Sequence, residues 1–225
     1  MDMLETLEIE TGDAPQAAVI WLHGLGADAN DFVPVVPELQ LDSAEVGAVR
    51  FVFPNAPMIP VTINGGYVMR AWYDIVGTDL VRREDQAGLE RSRLAVDALI
   101  DREMRRGIDS SRIVLAGFSQ GCAMTLLTGL RQPNPLAALI GLSGYLPLAD
   151  RTAAERHPAN ADVPIFLAHG RFDDVVLLSR GEASRDRLLA LGCNVSWHTY
   201  PMPHSVCDEE IHDIGRFLAH VLRRR

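Results

Sequence analysis

The chain has 225 residues, with 21 basic and 30 acidic side chains and a formal net charge of −9. Hydrophobic residues make up 48% and charged residues 23%, which excludes a chain disordered throughout and provides for a core without staples. A nucleic-acid surface needs a clustered positive field, and the only basic run is Arg223 to Arg225 at the end of the chain, so neither nucleic acid nor an anionic membrane is an expected partner.

Three cysteines, Cys122, Cys193 and Cys207, cannot all pair within the chain, and their spacing matches no zinc pattern. The start, Met1-Asp2-Met3-Leu4-Glu5, has neither the basic nor the apolar segment of a secretory leader, and Asp2 excludes an N-myristoylation motif. No stretch is long and apolar enough to span a bilayer. The expectation is one domain over residues 1–225, in a reducing cytoplasm, without a stable membrane anchor, metal or cofactor.

Short apolar runs alternate with helical patterns along the chain. Ala17–Leu22 is apolar throughout and ends at His23-Gly24; Val49–Phe53 ends at Pro54. Gln86 to Arg106 follows with helical periodicity, Leu89, Val96 and Ile100 sharing one face. Arg112–Ala116 is a third strand, Gln120–Arg131 a second helix and Leu136–Leu142 a fourth strand. Pro164–Ala168, a helix over Ser179–Leu191 closed by Gly192, the strand Asn194–Tyr200 and a helix over Asp208–Arg223 complete the series. Strands apolar on both faces and separated by helices predict an α/β fold, a mostly parallel central sheet with helices on both faces. Such sheets bind ligands beyond the carboxyl ends of their strands. From Tyr145 to Val163 only nineteen residues are available for an insertion, too few for a large cap domain.

Gly117-Phe118-Ser119-Gln120-Gly121 reads G-x-S-x-G where a strand ends and a helix begins. That context places a serine hydroxyl on a strained turn at the top of the sheet. A serine needs a base, and the base a partner that orients it. Two acids, Asp173 and Asp174, follow the fifth strand, and His204 lies in the loop before the last helix. His198 falls inside a strand pattern and reads as structural; His212 and His220 lie off the apolar stripe of the last helix and read as solvated. Backbone N–H donors for a developing oxyanion are expected from Gln120, which follows the serine, and from Leu25 in the glycine-rich loop His23-Gly24-Leu25-Gly26.

Several segments, Leu22-His23-Gly24-Leu25-Gly26, Pro54-Asn55-Ala56-Pro57, Arg70-Ala71-Trp72-Tyr73-Asp74, Gly117 to Gly121, Leu142 to Pro147 and His169-Gly170, resemble in order the carboxylesterase and acyl-protein thioesterase family of α/β-hydrolases. The resemblance spans nearly the whole chain. It implies Ser119 as nucleophile, His204 as base and Asp173 as acid, with Leu25 and Gln120 N–H groups as the oxyanion hole. It also implies cofactor-free hydrolysis of carboxylic esters or acyl thioesters, with a small ester or thioester as partner and a homodimer as a plausible assembly. One departure stands out: the family's proline after the acid is replaced by Asp174, so two carboxylates compete for the role, and spacing from His169-Gly170 favours Asp173. A lysophospholipase with the same triad is the alternative substrate class; a catalytically silent binding module is the alternative of another kind.

Around these residues the readings divide. Trp72 and Tyr73 either line the acyl pocket or pack beneath a surface loop. Met58 and Ile59, with Pro60, Val61 and Ile63, form an apolar loop before Gly65-Gly66 that either covers the site or binds an acyl chain, or fills core. Cys122 reads as a buried small hydrophobe, and Ser143 as structural.

Overall fold

The computed structural model describes residues 3–77 and 84–224. In chain order its elements are β1 (Thr6–Glu10), β2 (Ala17–Leu22), α1 (Val35–Glu38), α2 (Ser43–Val46), β3 (Val49–Pro54), β4 (Met58–Val61) and β5 (Tyr67–Arg70). There follow α3 (Gln86–Arg105), β6 (Ile113–Phe118), α4 (Gln120–Gly129), β7 (Ala138–Leu142), α5 (Ala149–Glu155), β8 (Ile165–Gly170), α6 (Leu178–Ala190), β9 (Val195–Tyr200) and α7 (Asp208–Val221). Seven strands form one sheet in the order β1-β3-β2-β6-β7-β8-β9, every neighbouring pair parallel except β1 with β3.

Why the sheet is covered on both sides follows from strand geometry. Alternate side chains point to opposite faces. Ala18, Ile20 and Leu22 of β2 join one core, with Leu89, Val96, Leu99 and Ile100 of α3 and Leu126 of α4. Ala17, Val19 and Trp21 join the other, with Val35 of α1 and Ile211, Ile214 and Leu218 of α7. All six residues of β2 are buried, as are all six of β3. Such a strand has no solvent face, so it reads as a continuous apolar run.

The strands read from the sequence do not include β1, β4 or β5. β1 is an edge strand, part-buried, with Thr6, Glu8 and Glu10 on one face; Arg50 holds it through Glu10 (2.7 Å) and also binds the fully buried Glu103 (2.9 Å). Residues Met58–Val61 form not a loop but one arm of an antiparallel hairpin, β4 pairing with β5 outside the main sheet. Pro60 is tolerated there because a two-stranded edge leaves its ring a free side. The segment after β7 holds only the seven-residue α5 and a short 3-10 turn, so no large cap stands over the sheet.

Candidate active site

Three loops at the carboxyl ends of β6, β8 and β9 meet at one point. β6 runs into α4 through Ser119, whose φ of 56° and ψ of −115° are strained for a residue with a Cβ. The turn is possible because its flanking glycines leave room. A Cβ on Gly117 would lie 2.2 Å from the Gly121 carbonyl oxygen, and one on Gly121 would lie 2.1 Å from that of Leu22. Ser119 N–H donates to the Leu142 carbonyl (2.9 Å), which ties the turn to the end of β7.

The β8 and β9 loops are stitched to each other. Arg171 N–H donates to Tyr200 O (2.8 Å) and Phe172 N–H to Met202 O (3.1 Å). Gly170 has no side chain because the β9 loop crosses it: a Cβ there would lie 2.4 Å from Pro203 O. The crossing delivers His204 to Asp173. His204 Nδ1 lies 2.7 Å from Asp173 Oδ2, and its Nε2 lies 3.0 Å from Ser119 Oγ. A carboxylate only accepts, so Nδ1 carries the hydrogen, and Nε2 is left to accept the serine proton. Phe118 packs its ring 4.7 Å from the imidazole.

Asp173 and Asp174 are neighbours with opposite surroundings. The Asp173 side chain is fully buried, and its Oδ1 accepts from Val175 N–H (2.9 Å) and Val176 N–H (2.8 Å). Asp174 is exposed. Geometry therefore joins Asp173, and not Asp174, to His204.

The loop after β2 is held by residues whose roles the sequence did not disclose. His23 is buried; its Nδ1–H donates to Gly24 O (2.6 Å) while Nε2 accepts from Ala56 N–H (3.0 Å). Burial pushes its pKa down, which keeps this neutral tautomer. Trp72 Nε1–H donates to His23 O (2.9 Å), and Gly26 N–H donates to Arg70 O (2.8 Å). Asn55 Oδ1 accepts from Ala29 N–H (2.9 Å). Gln120 clamps the far side, its side chain accepting from Trp72 N–H and donating to Tyr73 O, both at 3.0 Å. Its own N–H opens α4, where no intrahelical acceptor exists.

Beside Ser119 lies a cleft of roughly 480 Å³ whose walls include Leu25, Ile63, Tyr73, Phe118, Tyr145 and Val176. Gly24, Ser119, Gln120 and His204 also border it. Tyr73 contributes to the wall and bonds Tyr145, hydroxyl to hydroxyl, at 2.9 Å. Trp72, Met58 and Ile59 do not border this cleft. Trp72 is buried behind the loop it props, Met58 is exposed, and Ile59 borders a separate hollow with Leu4 and Pro57. Ile63 and Ile75 supply the apolar wall on that side.

The remaining polar candidates lie outside the reacting geometry. Cys122 is buried in α4 and burial pushes its thiol up to about 12, so it carries no thiolate at neutral pH. Ser143 is fully buried on the turn after β7. His198 stacks on Phe166 at 4.4 Å, and His212 and His220 are exposed. Among the described residues, no group of three or more His, Cys, Asp or Glu is placed to hold a metal ion, and no helix is long and apolar enough to cross a membrane.

Comparison with known proteins identifies the family. The sequence profile of the phospholipase/carboxylesterase family matches residues 4–222. Acyl-protein thioesterase 1 of Mycosarcoma maydis is 42% identical over 99% of both chains, and that of Yarrowia lipolytica 39% identical over 91% of this chain and 92% of its own. Among solved structures, Zea mays acyl-protein thioesterase 2 superposes with a TM-score of 0.86 at 29% identity, covering 97% of this chain and 99% of its own. A family match over nearly the whole length, on a sheet whose serine turn, acid loop and histidine loop converge, makes this chain a member of the phospholipase/carboxylesterase family of α/β-hydrolases, a hydrolase of the esterase and thioesterase kind.

Proposed function

We propose that the chain is a single-domain serine hydrolase that cleaves acyl thioesters and carboxylic esters, with Ser119, His204 and Asp173 as its triad. The observation that carries this reading is the unbroken series Ser119 Oγ, His204, Asp173, at 3.0 and 2.7 Å. His204 Nε2 takes the Ser119 proton as Oγ attacks the acyl carbon. Asp173 holds the imidazole tautomer and stabilises the imidazolium. Leu25 and Gln120 N–H groups receive the oxyanion. His204 then protonates the leaving thiol or alcohol, and water, activated by the same imidazole, releases the acid.

The names borne by the relatives favour acylated proteins as the substrate class, with small carboxylic esters turned over by the same chemistry. The apolar wall of Leu25, Ile63, Tyr73 and Val176 suits an acyl chain. The deciding experiment compares p-nitrophenyl esters and acyl-peptide thioesters of matched acyl length, with Ser119→Ala in parallel and a fluorophosphonate probe as label. Wild type should label and turn over both, with kcat/KM higher for the thioester. Ser119→Ala should lose kcat by a factor on the order of 10⁶ and should not label. A wild type that neither labels nor turns over either substrate returns the chain to the silent-module reading.

A further inference from the structure

The sequence pairs His169 with Gly170 at the end of β8. Gly170 is explained by the crossing of the β9 loop. His169 takes no part in the series above, yet it is 1% exposed and sits directly behind the acid. Its Nε2 lies 2.7 Å from Val176 O and 3.4 Å from Asp173 Oδ2, the oxygen that His204 engages. A carbonyl only accepts, so the hydrogen is on Nε2 and points at the acid loop.

We infer that His169 is a positioning residue for the reaction, a neutral second histidine that holds the Asp173 loop in the one conformation that reaches His204. This rests on the triad proposed above. Val176 contributes twice: its N–H donates to Asp173 Oδ1 (2.8 Å), and its carbonyl accepts from His169. The peptide around Val176 is thus a bridge from His169 to the acid. The Arg171 and Phe172 amides still tie the base of the loop to the β9 loop, but releasing that carbonyl loosens the Asp173–Val176 turn beyond them, and the carboxylate then shifts off the imidazole. Beyond Asp173 the exposed Val175 and Leu177 side chains supply no anchor, and the buried Val176 side chain adds packing but no hydrogen bond to its own carbonyl.

The ring itself has no freedom. α6 presses Gly181 against it, where a Cβ would lie 2.5 Å from Nδ1, and Trp197 of β9 packs 6.2 Å away. The charged and titratable groups facing it are Asp173 and His204 from the loops and Glu182 from α6. Burial pushes its pKa down, so it presents a neutral N–H rather than a second cation that would compete with His204 for Asp173.

The test separates the donor from the space it fills. His169→Phe keeps a flat ring between Gly181 and Trp197 but has no N–H; His169→Gln places an amide N–H where Nε2 stood. With a p-nitrophenyl ester, His169→Phe should lose roughly ten- to a hundredfold in kcat, with KM within about twofold. His169→Gln should stay within about threefold of wild type. A readout that needs no turnover is the low-field proton resonance of His204 Nδ1–H, expected in wild type and His169→Gln and broadened away in His169→Phe. Wild-type kcat in His169→Phe, an equal loss in both variants, or a loss that tracks only the unfolded fraction in thermal melts each overturns the inference. A wild type that shows the resonance but hydrolyses nothing defeats the proposed activity and leaves the positioning role standing.

Discussion

The serine turn and the β4–β5 hairpin both depend on a pair of glycines, for opposite reasons. Around Ser119 the backbone is crowded: Cβ atoms on Gly117 or Gly121 would sit 2.1–2.2 Å from carbonyl oxygens, and every residue of α4 is buried. In the hairpin, a Cβ added to Gly65 or Gly66 would meet nothing within 4 Å, but the φ values there are 67° and 79°. One pair is required by space, the other by backbone angle. The end of the sheet that carries Ser119, Asp173 and His204 is built from tightly crowded backbone, whereas the hairpin exposes Met58, Tyr67 and Val68 and touches the cleft only through its connecting turn at Ile63 and Asn64.

That contrast can be broken or sharpened by substitution. The largest effect is expected at the acid. Asp173→Asn should lower kcat by roughly 10⁴ through loss of the imidazole tautomer, while Asp174→Asn, an exposed neighbour, should stay within about threefold; steady-state kinetics on both decides. Gly121→Ala should cost more than ~3 kcal/mol of stability or prevent folding, because rigid backbone blocks the added atom. Gly65→Ala should cost only about 1 kcal/mol, the strain of a left-handed residue in open space. Denaturant melts of the two variants compare space with angle directly, and equal costs would erase the distinction.

A smaller effect belongs to Glu210, in the first turn of α7 just beyond the His204 loop. It is fully buried, and among the described residues neither carboxylate oxygen has a hydrogen-bond partner. Burial pushes its pKa up to about 8, and Asp213 adds to this; the Cys207 N–H, close by but outside hydrogen-bond geometry, opposes it. The folded state therefore holds a proton that the unfolded chain releases above its ordinary value of 4.5. This contribution to stability is complete below 4.5 and is lost as pH rises toward 8. Glu210→Gln should flatten that slope and raise stability at pH 8 by roughly 1–3 kcal/mol. Unfolding midpoints at pH 5 and pH 8 measure it, and parallel slopes in both proteins would contradict it.

The parallel strands are legible in the sequence because they are buried on both faces, and the serine turn because its glycines have a steric reason that spacing alone expresses. β1 escapes a sequence reading because it is an edge with one half-wet face, and β4 because its exposed residues and Pro60 follow no strand pattern. The choice of Asp173 over Asp174 leans in the sequence on spacing from His169-Gly170, while the burial that turns Asp173 inward is set by the fold. His23, Asn55 and Arg70 support the loop after β2 across sequence separations of 26 residues or more, apart from the local bond of His23 to Gly24. His169 stands out in the sequence only as half of a motif; its environment is assembled by α6 and β9, which follow it in the chain.

The stitching of the β8 and β9 loops has a consequence for motion. Arg171 and Phe172 are exposed at the surface, yet their amides donate to Tyr200 and Met202. Those two amides should exchange with solvent deuterium as slowly as amides of the flanking strands, because releasing them requires β9 to part from β8. The bases of the Asp173 and His204 loops are then held as one cooperative unit, and thermal motion cannot part them without opening the edge of the sheet.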